Sequence, residues 1–150
     1  MSNITTIYDL FVTRLGVIYP SHSKLTNPHK IEENNDMLLK LGYGLRMGPG
    51  LNTKRHLACK ASIEREITIV FTRKHFALEQ TLTPKQTVEK ALLEDQFLLI
   101  KDVETYPDLE NTVIAKIEYV SDRGIEFIYG DKDNFIQLET VFNFEYFEFL

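Results

Sequence analysis

Apolar positions along this chain recur at two periods, and the clearest run is the last. Over residues 135–150, the even positions Ile136, Leu138, Thr140, Phe142, Phe144 and Tyr146 alternate with Gln137, Glu139, Val141, Asn143 and Glu145. A repeat of two sends alternate side chains to opposite faces of a sheet, so this run predicts a strand with one face in the core. It persists for roughly twice the usual strand length. Val141, Phe147 and Phe149 interrupt the polar row. Packing against another chain and simple exposure of a few aromatics both fit that partly apolar second face. These three residues are the candidate outer-strand interface.

The preceding runs supply the rest of the fold. Ile4, Ile7, Tyr8, Phe11, Leu15 and Ile18 follow a helical repeat, with Ser2 or Asn3 as cap and Pro20 as stop. Residues 20–37 are polar, with Asn27-Pro28 and Glu32-Glu33-Asn34-Asn35-Asp36, and predict a long loop or arm. Residues 42–47 read as a strand, ended by a Pro49-Gly50-Leu51-Asn52 turn. Ile63, Ile67, Ile69 and Phe71 alternate with Glu64, Glu66, Thr68 and Val70 in a β-branched strand. Thr83-Pro84-Lys85-Gln86 opens a second helix running to about Ile100, with Lys101-Asp102 and Pro107 closing the region. Residues 113–119 and 125–129 read as two short strands joined by a Ser121-Asp122-Arg123-Gly124 turn. The expected order is α-β-β-α-β-β-β. This is an α+β domain over residues 1–150, with an antiparallel or mixed sheet and both helices on one face. Ile63, Ile67, Ile69, Phe71, Val113, Ile117 and Phe127 are expected to face those helices.

Composition narrows the function. The chain has 150 residues, 43% apolar and 26% charged, as ordinary globular domains do. Ten Phe and seven Tyr with no Trp supply an aromatic core. The net charge of −5 argues against a general nucleic-acid binder, although one basic loop remains compatible. Cys59 is the single cysteine, so no intrachain disulfide is possible and a reducing compartment fits. No basic, apolar and small-residue leader pattern opens the sequence, and no segment approaches the ~20 apolar residues of a membrane span. A soluble protein made in the cytoplasm, with no membrane partner, is expected.

Candidate chemistry is sparse. Four of the seven glycines, Gly42, Gly44, Gly48 and Gly50, fall in one stretch. It lacks the Gly-Lys-Ser/Thr of a P-loop and the spacing and helix of a dinucleotide fingerprint. Glycines placed where neighbouring backbone comes close are the reading adopted. A small-ligand or nucleotide-binding module is the alternative from another class. A cellular adaptor pairing its outer strand with a partner's edge is a third. His22 and His29 have no metal-ligand spacing, and Asp131 and Asp133 lack the glycine and helices of a calcium loop. Glu64, Glu66, Glu94 and Asp95 read as solvated. No nucleophile–base pair emerges, so no enzyme, metal or cofactor is expected. Arg46, Gly48, Pro49, Gly50, Lys54, Arg55, His56 and Lys60 form a locally basic segment, the candidate loop for contact with a neighbouring subunit or a lumen.

With these features in place, nearly the whole chain resembles the tail-terminator and head–tail joining (neck) proteins of tailed bacteriophages. The resemblance rests on the N-terminal helix, Asn27-Pro28 and the Gly42-to-Gly50 stretch. It also rests on Arg65-Glu66-Ile67-Thr68-Ile69-Val70-Phe71-Thr72-Arg73, the second helix and the closing strand. It implies a structural virion subunit located in the tail or neck. Copies would form a ring, hexameric in that family, which caps the tail tube and meets neck or connector proteins. DNA would pass through the lumen without sequence-specific binding. A neck or head-completion protein on the portal side is the alternative within this class.

Overall fold

The computed structural model describes residues 2–56, 60–75, 82–105, 114–129 and 134–149, with side chains apart from those of 52–56, 82–87, 105 and 115. The elements run α1 (Asn3–Ile18), β1 (Ser23–Lys24), a 3-10 turn (Ile31–Glu33), α2 (Asp36–Leu39), β2 (Leu41–His56), β3 (Lys60–His75), α3 (Leu82–Thr105), β4 (Ile114–Tyr129) and β5 (Asn134–Phe149). They form an α+β domain around one five-stranded sheet in the order β1-β2-β3-β5-β4. The sheet is mixed, because β1 joins β2 in parallel and every other pair is antiparallel. The order of elements differs from the expected one by the added β1, 3-10 turn and α2, and by one strand fewer after α3, because the two short strands expected before β5 are the single strand β4.

β3 and β5 form the spine, paired without a break from Lys60–Phe149 to His75–Asn134. That register puts Ile67 opposite Phe142 and Phe71 opposite Leu138 on one face. There Ile7, Phe11 and Leu15 of α1 and Val88, Leu92, Leu99 and Val103 of α3 complete a single core with them. The 3.6-residue stripe of each long helix thus meets the two-residue stripe of the sheet. Both long helices lie on this face. Phe127, expected in this core, is instead largely exposed and only leans its edge on His75. Val113 lies outside the described residues.

Residues 20–40 correct the expectation of an arm. After β1 the chain crosses the back face of the sheet, where Leu25, Ile31 and Leu39 pack with Val70, Ile128 and Phe135. The polar residues read as weakly structured are the ones that hold this cover together. The buried Asn34 side chain accepts from Asn27 N (2.9 Å) and donates to the carbonyls of Asn27 (2.8 Å) and Ile31 (3.0 Å). Asn35 caps α2 by accepting from Leu38 N at 3.1 Å. The cover fits because β2 has no side chains beneath it. A Cβ on Gly42 would lie 2.6 Å from the Leu38 carbonyl, and one on Gly44 would lie 3.0 Å from Pro28 Cβ.

Two expected turns are bulges inside longer strands. Met47 pairs with Ile67 and Gly50 with Arg65, so β2 carries one extra residue around Gly48-Pro49 and continues to His56. Proline has no N–H to give a ladder, and a bulge on an outer strand accommodates it. Likewise β4 runs unbroken past Gly124, which takes φ +75°. The Gly124 N–H donates to Asp122 Oδ1 at 2.9 Å. Turn chemistry is present, but the partner strand β5 continues alongside and converts it into a bulge. α3 also passes through Lys101 and Asp102, because Asp102 is paired with Arg14 of α1 (Arg14 Nε to Oδ2 2.8 Å).

Candidate functional site

The 20–40 cover occupies only part of the back face. The remainder is open and zoned by the alternation of β3 and β5. Nearest the cover, one cross-strand row places Arg46 beside Thr68, and Thr68 beside Val141. Arg46 is paired with Glu139, whose other oxygen lies 3.4 Å from Arg123. Next come Glu64 and Glu66 of β3, Glu118 of β4 and Glu145 of β5, with Asn143 between them. Glu145 accepts from the Ser62 hydroxyl at 2.7 Å, and Glu118 is 3.7 Å from Lys116. Glu64 and Glu66 have no ion-pair partner among the described residues. They line an open depression with Glu118, Val120, Pro49 and Leu51.

At the far end the two candidate sets converge. Lys60 pairs in register with Phe149, and its ammonium sits 4.1 Å above the Phe147 ring and 5.8 Å from that of Phe149. This is cation–π distance. β2 brings the backbone of Lys54, Arg55 and His56 opposite Ser62, Ala61 and Lys60. These three are strand residues at the end of the β2–β3 hairpin, not a loop. Phe149 is 72% exposed, and Asn3 Nδ2 of α1 donates to the Phe147 carbonyl at 2.6 Å.

The remaining candidates lie elsewhere or are already engaged. Arg46 is held by Glu139 within the subunit. Gly48 and Pro49 form the β2 bulge, and the Gly48 carbonyl accepts from Arg65 Nη1 at 2.8 Å. Gly50 lies under the same guanidinium, where a Cβ would stand 2.6 Å from Nη2. Val141 is buried in the sheet. The apolar character of the outer row of β5 is therefore explained in part by the chain itself. Phe135, on that row, is fully buried under the 20–40 cover.

The residues that the sequence concealed form a buried polar cluster on the helix face. Asp95 of α3 accepts from Arg73 Nε (2.7 Å) and Nη2 (2.9 Å) of β3, and His22 Nε2 lies 3.3 Å from its Oδ1. Tyr19 donates its hydroxyl to the Asp95 carbonyl and packs its ring on His22 and Phe71. Burial acts to raise the Asp95 carboxyl, but contact and charge from His22 and Arg73 outweigh it and hold it below the usual range. Burial, then the charges of Asp95 and Asp102, push the Tyr19 phenol well above its ordinary value. The cluster ties α1, β3 and α3 together. Gln96 does the same for the other flank, donating to Thr140 Oγ1 and Asp122 Oδ2, both at 3.1 Å.

Among the described residues, no three of His, Cys, Asp and Glu gather to hold a metal ion, and no helix is long and apolar enough to cross a membrane. No protein-family model matches the chain, and neither does any curated protein.

Proposed function

We propose that this chain is a structural subunit of a tailed-phage virion, a tail terminator. Copies of it form a ring, hexameric as in the family it resembles, that caps the tail tube and joins it to the neck while DNA passes through. The observation that carries this reading is the uncovered part of the back face, at whose end Lys60 lies over Phe147 beside an exposed Phe149. Such a surface suits contact with further protein. The outer edge of β2 beyond Leu45 and that of β4 also pair with no described strand. Heterologous contacts between different patches of identical copies generate rings when the rotation closes.

The rival nucleotide-binding reading loses its basis in the glycines. The space above Gly42 and Gly44 is filled by Leu25, Pro28 and the Leu38 carbonyl, and that above Gly48 by Glu66. The test has two arms. Light scattering of the purified protein is expected to give a mass several times that of one chain. Fractionation of phage lysates is expected to find the chain with tail tubes. A monomer at all concentrations, or a chain absent from particles, overturns the proposal; recovery with portal-bearing heads alone assigns it to the portal side.

A further inference from the structure

We infer that the basic hairpin end of one copy seats on the carboxylate zone of the back face of the next copy. This deepens the ring reading and rests on it. The argument begins with polarity. Along β3, Lys60 stands at the hairpin end and Glu64 and Glu66 follow on the same face, because four and six residues preserve the parity of a strand. Register places the Lys54 position opposite Ser62, on the same face as Lys60, whereas the Arg55 position falls opposite Ala61, on the other face. Glu118 joins the carboxylates from β4. One surface therefore has a cationic end and an anionic middle, separated by about 14 to 20 Å at a strand's rise per residue.

A second copy is the occupant that both ends fit. A nucleic-acid strand drawn to Lys54 and Lys60 would meet Glu64 and Glu66 on the same face within two Debye lengths or so, which repels phosphate. A neighbouring copy presents the opposite charge to each zone at once. Because donor and acceptor patches differ, the contact is head-to-tail and leaves both a free tip and a free face for the next subunit.

The bulges act in the same direction. β2 breaks register at two places and β4 at three, whereas the central β3–β5 ladder has none. Outer strands interrupted in this way resist continuous strand addition from copy to copy, so a face and a tip remain as the joining surfaces. The acceptor zone spans on the order of 400 Å² of sheet, given strands about 4.8 Å apart. That is below the roughly 800 Å² per partner of a standard interface. A contact so small and so charged is expected to be salt-sensitive.

Charge reversal in the full-length protein tests this. The variants K54E/K60E and E64K/E66K are each expected to weaken self-association at least about tenfold near physiological salt, the scale at which charged interface pairs act. The combined four-fold variant, in which the two zones have exchanged sign, is expected to restore the wild-type mass. Wild-type assemblies are expected to dissociate as salt is raised. If the wild-type protein is a monomer, the ring reading fails and this inference with it. If the wild-type protein assembles but single-zone reversals leave its mass unchanged, or the exchanged variant is not restored, the ring reading stands and the docking mode is overturned. Should a reversed chain fail to fold by circular dichroism, carbodiimide coupling of isotope-mixed wild-type protein decides instead. Links between Lys54 or Lys60 of one copy and Glu64 or Glu66 of another support the contact, and their absence overturns it.

Discussion

Asp95 illustrates how a single side chain can be misread and then prove central. Beside Glu94 it has the look of a solvated acidic pair, yet only Glu94 is exposed. The signal was in the phase: Leu92, Asp95 and Leu99 fall at i, i+3 and i+7 on one helix stripe, and both leucines are core. An acid in such a stripe must be paired, and Arg73 and His22 pair it. Replacing Asp95 by Asn is expected to cost about 2–3 kcal/mol in urea unfolding at pH 7. This is at the low end for a broken buried pair because Arg73 still reaches solvent. The pH dependence has a definite sign. The folded pKa lies below the unfolded value of about 3.9, so the stabilisation is complete above about pH 5 and lost as pH falls through the folded value. Asp95→Asn is therefore expected to flatten the acid limb of the stability curve. An unchanged limb would show that other carboxylates govern it.

At the scale of elements, composition misled where hydrogen-bonding roles mattered. The stretch from Glu32 to Asp36 resembles disordered chain, but Asn34 and Asn35 bond local backbone and fix a 3-10 turn and a short helix. Ile31 and Leu39 are then free to cover Phe135 and Val70. Asn34→Ala removes a buried set of bonds and is expected to cost about 1–3 kcal/mol locally. Hydrogen exchange is the suitable measurement. Exchange over residues 25–39 should quicken about tenfold or more, while β3 and β5 stay protected. Equal loosening of both would mean the cover and the spine open together. The turns expected at Pro49 and Gly124 failed for a related reason. Local turn chemistry specifies a bend in the backbone, and only the neighbouring strand decides whether that bend reverses the chain or bulges it.

For the whole molecule, the question is which apolar and charged surfaces the fold consumes internally. Phe135 and Val141 are consumed, and Phe149 is not. Phe149→Ser is expected to leave unfolding free energy within about 0.5 kcal/mol, as surface substitutions do. Under the proposed ring reading it should weaken assembly, because it removes the exposed ring beside Lys60 at the hairpin end. Sedimentation velocity alongside urea unfolding separates the two effects. A variant that loses stability but not assembly would make Phe149 part of the fold alone.

The sequence by itself determined the α+β class, the two helix stripes and the core faces of β3 and β5. These are periodic signals, and a period of two or 3.6 is fixed by backbone geometry whatever the partners are. Tertiary structure alone decided where the 20–40 segment lies, that the Pro49 and Gly124 bends are bulges, and that Asp95 is buried. It also brought Lys60 onto Phe147 and Phe149 across 87 and 89 positions of chain, 147 − 60 and 149 − 60. Each of those outcomes depends on which distant surface arrives opposite a residue, and one-dimensional periodicity carries no record of that.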